Sequence, residues 1–346
     1  MVHVIDTAVD SRRALLERWL THDLKLSVTR VEPASADASF RRYFRVTSAD
    51  SSLIVMDAPP DREDLGPFMA IAGALGQLGL HVPNVVAADT QRGFLLLTDL
   101  GSTHYLAALN AGSDPETLYA DAVTALIRMQ AGGQNLNVEL PMYSRELLDR
   151  EVQLFPEWFL QFHLQVALQP ELLLTLSRIS AVLASAALGQ TQVIVHRDFH
   201  SRNLMLTQDG NPGILDFQDA VRGAITYDLV SLYKDCYVVW PRERVLGWLR
   251  EYRARALDAG LAVGADEHEF VRWFDLMGVQ RHLKVLGIFA RLWYRDGKAG
   301  YLRDLPVVLQ YVLDAAAMYP ELSELHVLMK DVVVPRFAAA QARVVQ

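Results

Sequence analysis

At 346 residues, with 51% hydrophobic and 21% charged side chains, the chain has the composition of an ordinary globular protein with room for two domains or one large one, which excludes a disordered chain. A formal charge of −8 leaves no basic footprint and argues against nucleic acid or an anionic membrane as partner. The single cysteine, Cys236, excludes an internal disulfide and suits a buried core thiol; no run approaches about 18 uninterrupted apolar residues and the first residues carry no basic region ahead of an apolar one, so a cytoplasmic protein is expected.

Asp10 and Ser11 can cap a helix whose Leu15, Leu16, Trp19 and Leu20 share one face. Short β-rich runs follow at 26–31, 43–46 and 53–56, then a helix near 64–78, then runs at 85–88 and 94–97. The order is βββαββ. From Thr103 onward, apolar residues recur at helical spacing in 118–129, 172–188, 229–239, 270–293 and 307–318. A small mixed lobe thus precedes a larger helical one, with the join expected near 99–101.

Inside the helical part lies His196-Arg197-Asp198-Phe199-His200-Ser201-Arg202-Asn203, and beyond it Leu215-Asp216-Phe217-Gln218-Asp219. One carboxylate, one amide and a second carboxylate are the groups that phosphoryl transfer needs. That reaction asks the protein to orient an acceptor hydroxyl and to neutralise phosphate charge with magnesium, and little else. Asp198 suits the first task, and Asn203 with Asp216 the second. The segment between them reads as a hairpin closing on Asp209-Gly210. A two-residue loop there would set 203 opposite 216, where Cβ atoms stand about 4.5–5.5 Å apart and could share one hard cation. A different reading takes His196, Asp198 and His200 as three ligands of a transition metal on one face of an extended segment, which would make a metal hydrolase. It leaves Asn203 and Asp216 idle.

Residues 196–203 and 216–219, with the sheet-rich lobe before them and Tyr227-Asp228 after them, resemble the aminoglycoside phosphotransferase-like small-molecule kinases over roughly residues 30–300. More narrowly, 36–46 (Ala36 to Val46, with Phe40-Arg41-Arg42-Tyr43), Val55-Met56-Asp57-Ala58-Pro59-Pro60, 216–223 and 281–291 (Arg281-His282-Leu283-Lys284 onward) resemble the anomeric sugar kinases of bacterial cell-wall recycling. Those enzymes phosphorylate N-acetylmuramate and N-acetylglucosamine at the anomeric hydroxyl, on a route to a UDP-sugar. The resemblance implies an α+β fold, bilobal and protein-kinase-like, with a small mixed β-rich N-terminal ATP-binding lobe (1–100) and a larger, mainly helical catalytic and substrate lobe (101–346). It implies ATP and Mg2+ as cofactors and a small amino sugar as partner, the alternatives being a kinase of an aminoglycoside, choline-like or other small alcohol, or an ATP-binding protein without catalysis. By the same resemblance Asp198 orients or deprotonates the acceptor, His196 buttresses the loop, Asn203 and Asp216 hold the metal, and Asp228 bonds the catalytic-loop backbone. Leu97 and Asp99 fall at the hinge that meets adenine, and the turn from Ser35 through Ser39 to Phe40 falls over the phosphates.

One departure matters. Kinases of this broad class pair a third-strand lysine with a glutamate of the next helix, yet Met56 follows Val55 here and residues 68–78 contain no acid. No lysine occurs between Lys25 and Lys234, so a first-lobe cation on the phosphates must be arginine; Arg41, Arg42 and Arg45 are the candidates, and Arg41 or Arg42 is expected. Acceptor-site candidates are Arg202 and Gln218 beside the catalytic residues and His282, Lys284 and Trp293 late in the chain, with 155–159 as an aromatic wall or as helix packing.

Overall fold

The computed structural model describes residues 10–36, 40–49, 51–133, 136 and 138–344. In chain order the elements are α1 (Ser11–Arg18), β1 (Arg30–Ala36), β2 (Arg42–Thr47), β3 (Ser52–Asp57), α2 (Gly66–Gln77), β4 (Val85–Asp89), β5 (Phe94–Thr98), α3 (Tyr105–Asn110), α4 (Pro115–Gly132) and α5 (Arg145–Val152). A π-helical segment (Phe155–His163) and α6 (Pro170–Leu188) lead to β6 (Gln192–Val195), β7 (Leu204–Met205), β8 (Gly213–Ile214), β9 (Val221–Ala224) and α7 (Tyr227–Tyr233). The chain ends in α8 (Arg242–Asp258), α9 (Glu267–Tyr294), α10 (Leu305–Met318), α11 (Ser323–Leu328) and α12 (Val334–Val344). Two compact units result: Met1–Thr103 with Met205–Gln218, and His104–Leu204 with Asp219–Gln346.

The first unit is built on an antiparallel sheet of order β1-β2-β3-β5-β4. Strand alternation puts Phe44, Val46, Val55, Phe94 and Leu96 on one face, covered by Leu16 of α1 and by Trp19 and Leu20 of the π-helical turn (Trp19–Asp23) that continues it. Asp10 caps α1 by accepting the Arg13 N–H at 3.1 Å, as its sequence position predicts. The first strand begins later than expected, at Arg30. Leu26 and Val28 alternate like strand residues, but the Leu26 N–H donates to Leu20 O, and both side chains pack against the α1 cluster instead of joining the sheet.

The β7–β8 hairpin belongs to this unit from Met205 on, held by Leu206 N–H to Thr103 O (2.8 Å) and Ile214 N–H to His81 O (2.8 Å). Its connection spans 206–212, not the two residues expected. The Thr207 N–H donates to the Asn211 side chain at 3.2 Å, so a side-chain-braced loop replaces the tight turn that Asp209-Gly210 suggests.

In the second unit α9 is the central element, buried along most of its 28 residues. Its Leu276, Val279, Leu283 and Leu286 join Phe155, Phe159, Leu176, Ile179 and residues of α10–α12 in one apolar core. Phe155 and Phe159 are fully buried there and stack on each other, so they pack a helix and form no open wall. α6 carries a window of mean hydropathy 1.5, long and apolar enough by composition to cross a bilayer; its Leu176, Ile179 and Leu183 enter the same core. α7 ends at Tyr233, short of the expected 239, because the Asp235 carboxylate turns the chain by accepting the Tyr237 N–H at 2.8 Å. Cys236 packs half-buried beside this turn, and burial pushes its thiol up, away from reactivity.

Candidate active site

The antiparallel pair β6–β9 buries Val193, Ile194 and Val195 and delivers the chain to His196. Asp228, buried in the first turn of α7, then accepts the N–H of His196 (2.7 Å) and of Arg197 (3.0 Å). This is the backbone bond that the resemblance implies for it. Burial raises the Asp228 pKa to about 7 against the pull of those two donors. Arg197 takes a left-handed φ of 77°, a conformation non-glycine residues seldom adopt, and so reverses the chain just before Asp198. His196 is buried; its Nδ1 accepts the Asp198 N–H at 3.3 Å and its ring meets Phe199 edge-on. That placement suits a support for the loop. The loop closes on itself through Asn203 Nδ2 to Asp198 O (3.0 Å) and Asn203 N–H to His200 O (2.9 Å). Since the amide nitrogen of Asn203 is spent on a carbonyl, its oxygen is the end suited to a hard cation.

Asp198 stands at the head of a charged network that its sequence neighbourhood does not reveal. Arg281 of α9 donates to Asp198 Oδ1 at 3.2 Å, to Arg197 O at 2.7 Å and to the Tyr227 hydroxyl at 3.0 Å. Beneath it, Glu151 of α5 accepts from Tyr143 and pairs with Arg197 and with Lys284, the last at 2.9 Å; Lys284 also reaches Tyr227 at 3.2 Å. Burial works against the Asp198 charge, but Arg281, His200, Lys284 and His196 outweigh it and hold the carboxyl well below the usual range. Asp198 is therefore a carboxylate at neutral pH, with 43% of its side chain exposed against 9% for Arg281. Sequence reasoning missed Arg281 and Glu151. A signal for the first existed: Arg281 and Lys284 lie three apart on one face of an otherwise apolar helix, and two buried cations there require acids.

Asp216 lies in the first unit at a left-handed φ of 64°, and Gln218 Nε2 donates to its Oδ1 at 2.7 Å. The left-handed backbone takes Asp216 out of any strand ladder, so the cross-strand register expected for 203 and 216 does not form. Phe217 is fully buried against Phe68 of α2 (4.9 Å between ring centroids), which anchors the turn that presents Asp216.

The arginines of the first unit separate by strand alternation. Arg42 sits opposite Asp57 on the α1 face, where Asp57 is fully buried and shared with Arg12, and Arg42 also holds Asp10. It is committed to the fold. Arg45, on the other face, binds Asp99 at 2.6 Å and Gly101 O at 2.7 Å. Asp99 thereby becomes a brace at the end of β5, taking Ser52 and the Gly101 N–H as well, while Leu97 is buried within β5. Arg41, just ahead of β2, pairs with Glu63 at 3.6 Å. Ser35 pairs with Tyr43 within β1, and Ser39 lies outside the described residues.

Of the acceptor candidates, two prove structural. His282 is buried, stacks on Tyr311 (4.9 Å) and meets Lys234 O with its Nε2 at 3.1 Å. Lys284 is spent on Glu151. Trp293, half-buried near the end of α9, packs against the helical core, ten residues and more along α9 from Arg281. Arg202 remains in the catalytic loop with its guanidinium over the Tyr237 ring. Among the described residues no group of three His, Cys, Asp or Glu side chains could hold a metal, so His196, Asp198 and His200 do not form the three-ligand site weighed above.

Residues 30–274 match the model of the phosphotransferase enzyme family. The chain is 50% identical over 297 residues to an N-acetylmuramate/N-acetylglucosamine kinase of Pseudomonas aeruginosa, covering 86% of this chain and 87% of that one. It is 44% identical over 304 residues to a protein of the same name from Neisseria meningitidis serogroup B, covering 87% and 90%. Among solved structures the choline kinase LicA from Streptococcus pneumoniae shares the fold, with a TM-score of 0.61 at 12% identity over 88% of this chain and all of that one. With a family model spanning most of its length and relatives at this identity, the chain belongs to the phosphotransferase enzyme family.

Proposed function

We propose that the protein is an ATP- and Mg2+-dependent kinase that phosphorylates N-acetylmuramate and N-acetylglucosamine at the anomeric hydroxyl, feeding UDP-sugar formation. The observation that carries this is the ionised Asp198, held by Arg281 at the head of a loop whose backbone Asp228 fixes, in a chain half identical to a kinase of that name. Asp198 orients the acceptor hydroxyl and receives its proton. Asn203 and Asp216 supply the oxygens that suit Mg2+, which when bound neutralises phosphate charge. Arg41 takes the place of the missing strand lysine, because Arg42 and Arg45 are committed to Asp57 and Asp99. Its guanidinium would grip phosphate oxygens as a fork.

The experiment is an ADP-release assay with Mg-ATP against N-acetylmuramate, N-acetylglucosamine, choline and an aminoglycoside, with phosphorus NMR locating the product phosphate. Turnover on the two N-acetyl sugars with phosphate at C1 is expected. Turnover confined to the cationic acceptors would overturn the substrate, and none at all despite ATP binding would overturn catalysis. In the same assay Arg41→Ala is expected to raise the KM for ATP by about ten-fold or more, the loss of a charge-assisted contact. An unchanged KM would remove Arg41 from the phosphate site.

A further inference from the structure

The network around Glu151 takes up Arg197, Arg281 and Lys284, but the catalytic loop carries one more cation. Arg202 lies between Asp198 and Asn203. Its guanidinium rests 3.6 Å from the centroid of the Tyr237 ring, and among the described residues no carboxylate comes within ion-pair distance of it. Arg202 also acts on Asp304, whose carboxyl burial pushes up, with Arg303 and Arg202 opposing, and Asp304 already pairs with Arg303. Asp235, the other acid nearby, is occupied by the Ser201 N–H and hydroxyl and by the Tyr237 N–H.

Two polar atoms beside this pair are also unsatisfied. The His200 ring meets the same Tyr237 edge-on at 5.7 Å, and its Nδ1 is buried without a hydrogen-bond partner. His104, which bonds the Arg202 backbone, has a buried Nδ1 in the same condition. Buried polar atoms in native folds nearly always have partners, so two orphans around one unpaired guanidinium mark a place built for a polar ligand. Contact with an aromatic face restrains a guanidinium and leaves N–H groups free to meet a carboxylate, which can accept two parallel hydrogen bonds from it.

The two sugars of the proposed reaction differ in this respect, since N-acetylmuramate carries a lactyl carboxylate and N-acetylglucosamine is neutral. We propose that Arg202, held over the Tyr237 ring, is the carboxylate receptor of the acceptor site and favours anionic amino sugars over neutral ones. The inference rests on the sugar-kinase reading above. A merely structural Arg202 would matter equally for both sugars.

The test compares kcat/KM for the two sugars in the full-length wild type, Arg202→Gln, Arg202→Lys and Tyr237→Leu. In Arg202→Gln the ratio of N-acetylmuramate to N-acetylglucosamine is expected to fall about 10- to 100-fold, as loss of a hydrogen-bonded ion pair requires. Arg202→Lys, which keeps the charge and loses the fork, should fall between, and Tyr237→Leu should shift the ratio in the same direction by freeing the guanidinium. If Arg202→Gln does not fold, the lysine and leucine variants carry the comparison. Wild-type turnover of both sugars with a ratio unmoved by these substitutions overturns the inference and leaves the sugar-kinase reading standing. Wild-type turnover of neither sugar overturns that reading and the inference with it.

Discussion

Replacing Asp198 by Asn is expected to lower kcat by about 10²- to 10⁴-fold, the usual worth of a positioned acid–base group. The substitution is a clean one because the loop does not depend on the side chain it removes. Asn203 holds the Asp198 backbone carbonyl, His200 N–H holds it again at 3.0 Å, and Asp228 grips the two preceding amides. An asparagine also keeps an oxygen for Arg281, so that buried guanidinium retains its acceptor. What is lost is the negative charge that orients the hydroxyl and accepts its proton. Binding of ATP should change little, and a fluorescent-nucleotide titration beside the ADP-release assay separates the two effects. A variant that kept more than about a tenth of wild-type kcat would show that Asp198 is dispensable, since a group acting only in the transition state must appear in kcat.

The elements that were legible in the sequence are those whose fate depends on local pattern. α1 begins at its cap, α4, α6, α9 and α10 begin and end within three residues of the apolar periodicity, and β2 to β5 fall where alternation places them. The misses came where apolar residues serve a neighbour out of sequence. Leu26 and Val28 have a strand-like pattern, but α1 claims them. The expected helix to 239 fails at Asp235, whose carboxylate is needed by Ser201, thirty-four residues earlier in the chain. No window of sequence contains that demand.

The same division holds for the site. The loop from His196 to Asn203 was legible because its residues act within a few positions of one another, and its hydrogen bonds run between neighbours. Arg281 and Glu151 were not legible, because each finds its partners across the second unit: Arg281 lies 83 residues from Asp198, and Glu151 lies 46 from Arg197. Motif resemblance drew attention to 281–291 and led to His282 and Lys284, yet helix geometry sends Arg281 to the catalytic carboxylate, Lys284 to Glu151, and His282 to Tyr311. For the arginines of the first unit, adjacent residues had to be told apart by the sheet face each occupies. Register settled Arg42 against Asp57, and sequence alone could not supply that register.

Glu151→Ala is expected to destabilise the protein by about 3–5 kcal/mol, the cost of removing one partner from a buried ion pair. Glu151 is the carboxylate that answers both Arg197 and Lys284, with side chains only 7%, 20% and 10% exposed, and it also accepts the Tyr143 hydroxyl. Burial would raise its pKa, but Lys284, Arg197 and Tyr143 overcome that and keep it ionised. Without it, Lys284 keeps only the Tyr227 hydroxyl, and two cations face each other beneath Asp198 without an acid between them. A loss of this size is a large share of the roughly 5–15 kcal/mol that holds a typical protein folded. It should lower the melting temperature by about 10 °C in a protein of this length. Glu151→Gln, which keeps the shape and the acceptor for Tyr143, should cost less, and adding Lys284→Met to Glu151→Ala should recover part of the loss because one stranded charge is then gone. Thermal unfolding of the four proteins decides the matter. If Glu151→Ala melted within about 2 °C of the wild type, the network would be worth no more than a surface ion pair. The support it gives Arg281, and through Arg281 the catalytic carboxylate, would then have to come from Tyr227 and the Arg197 carbonyl alone.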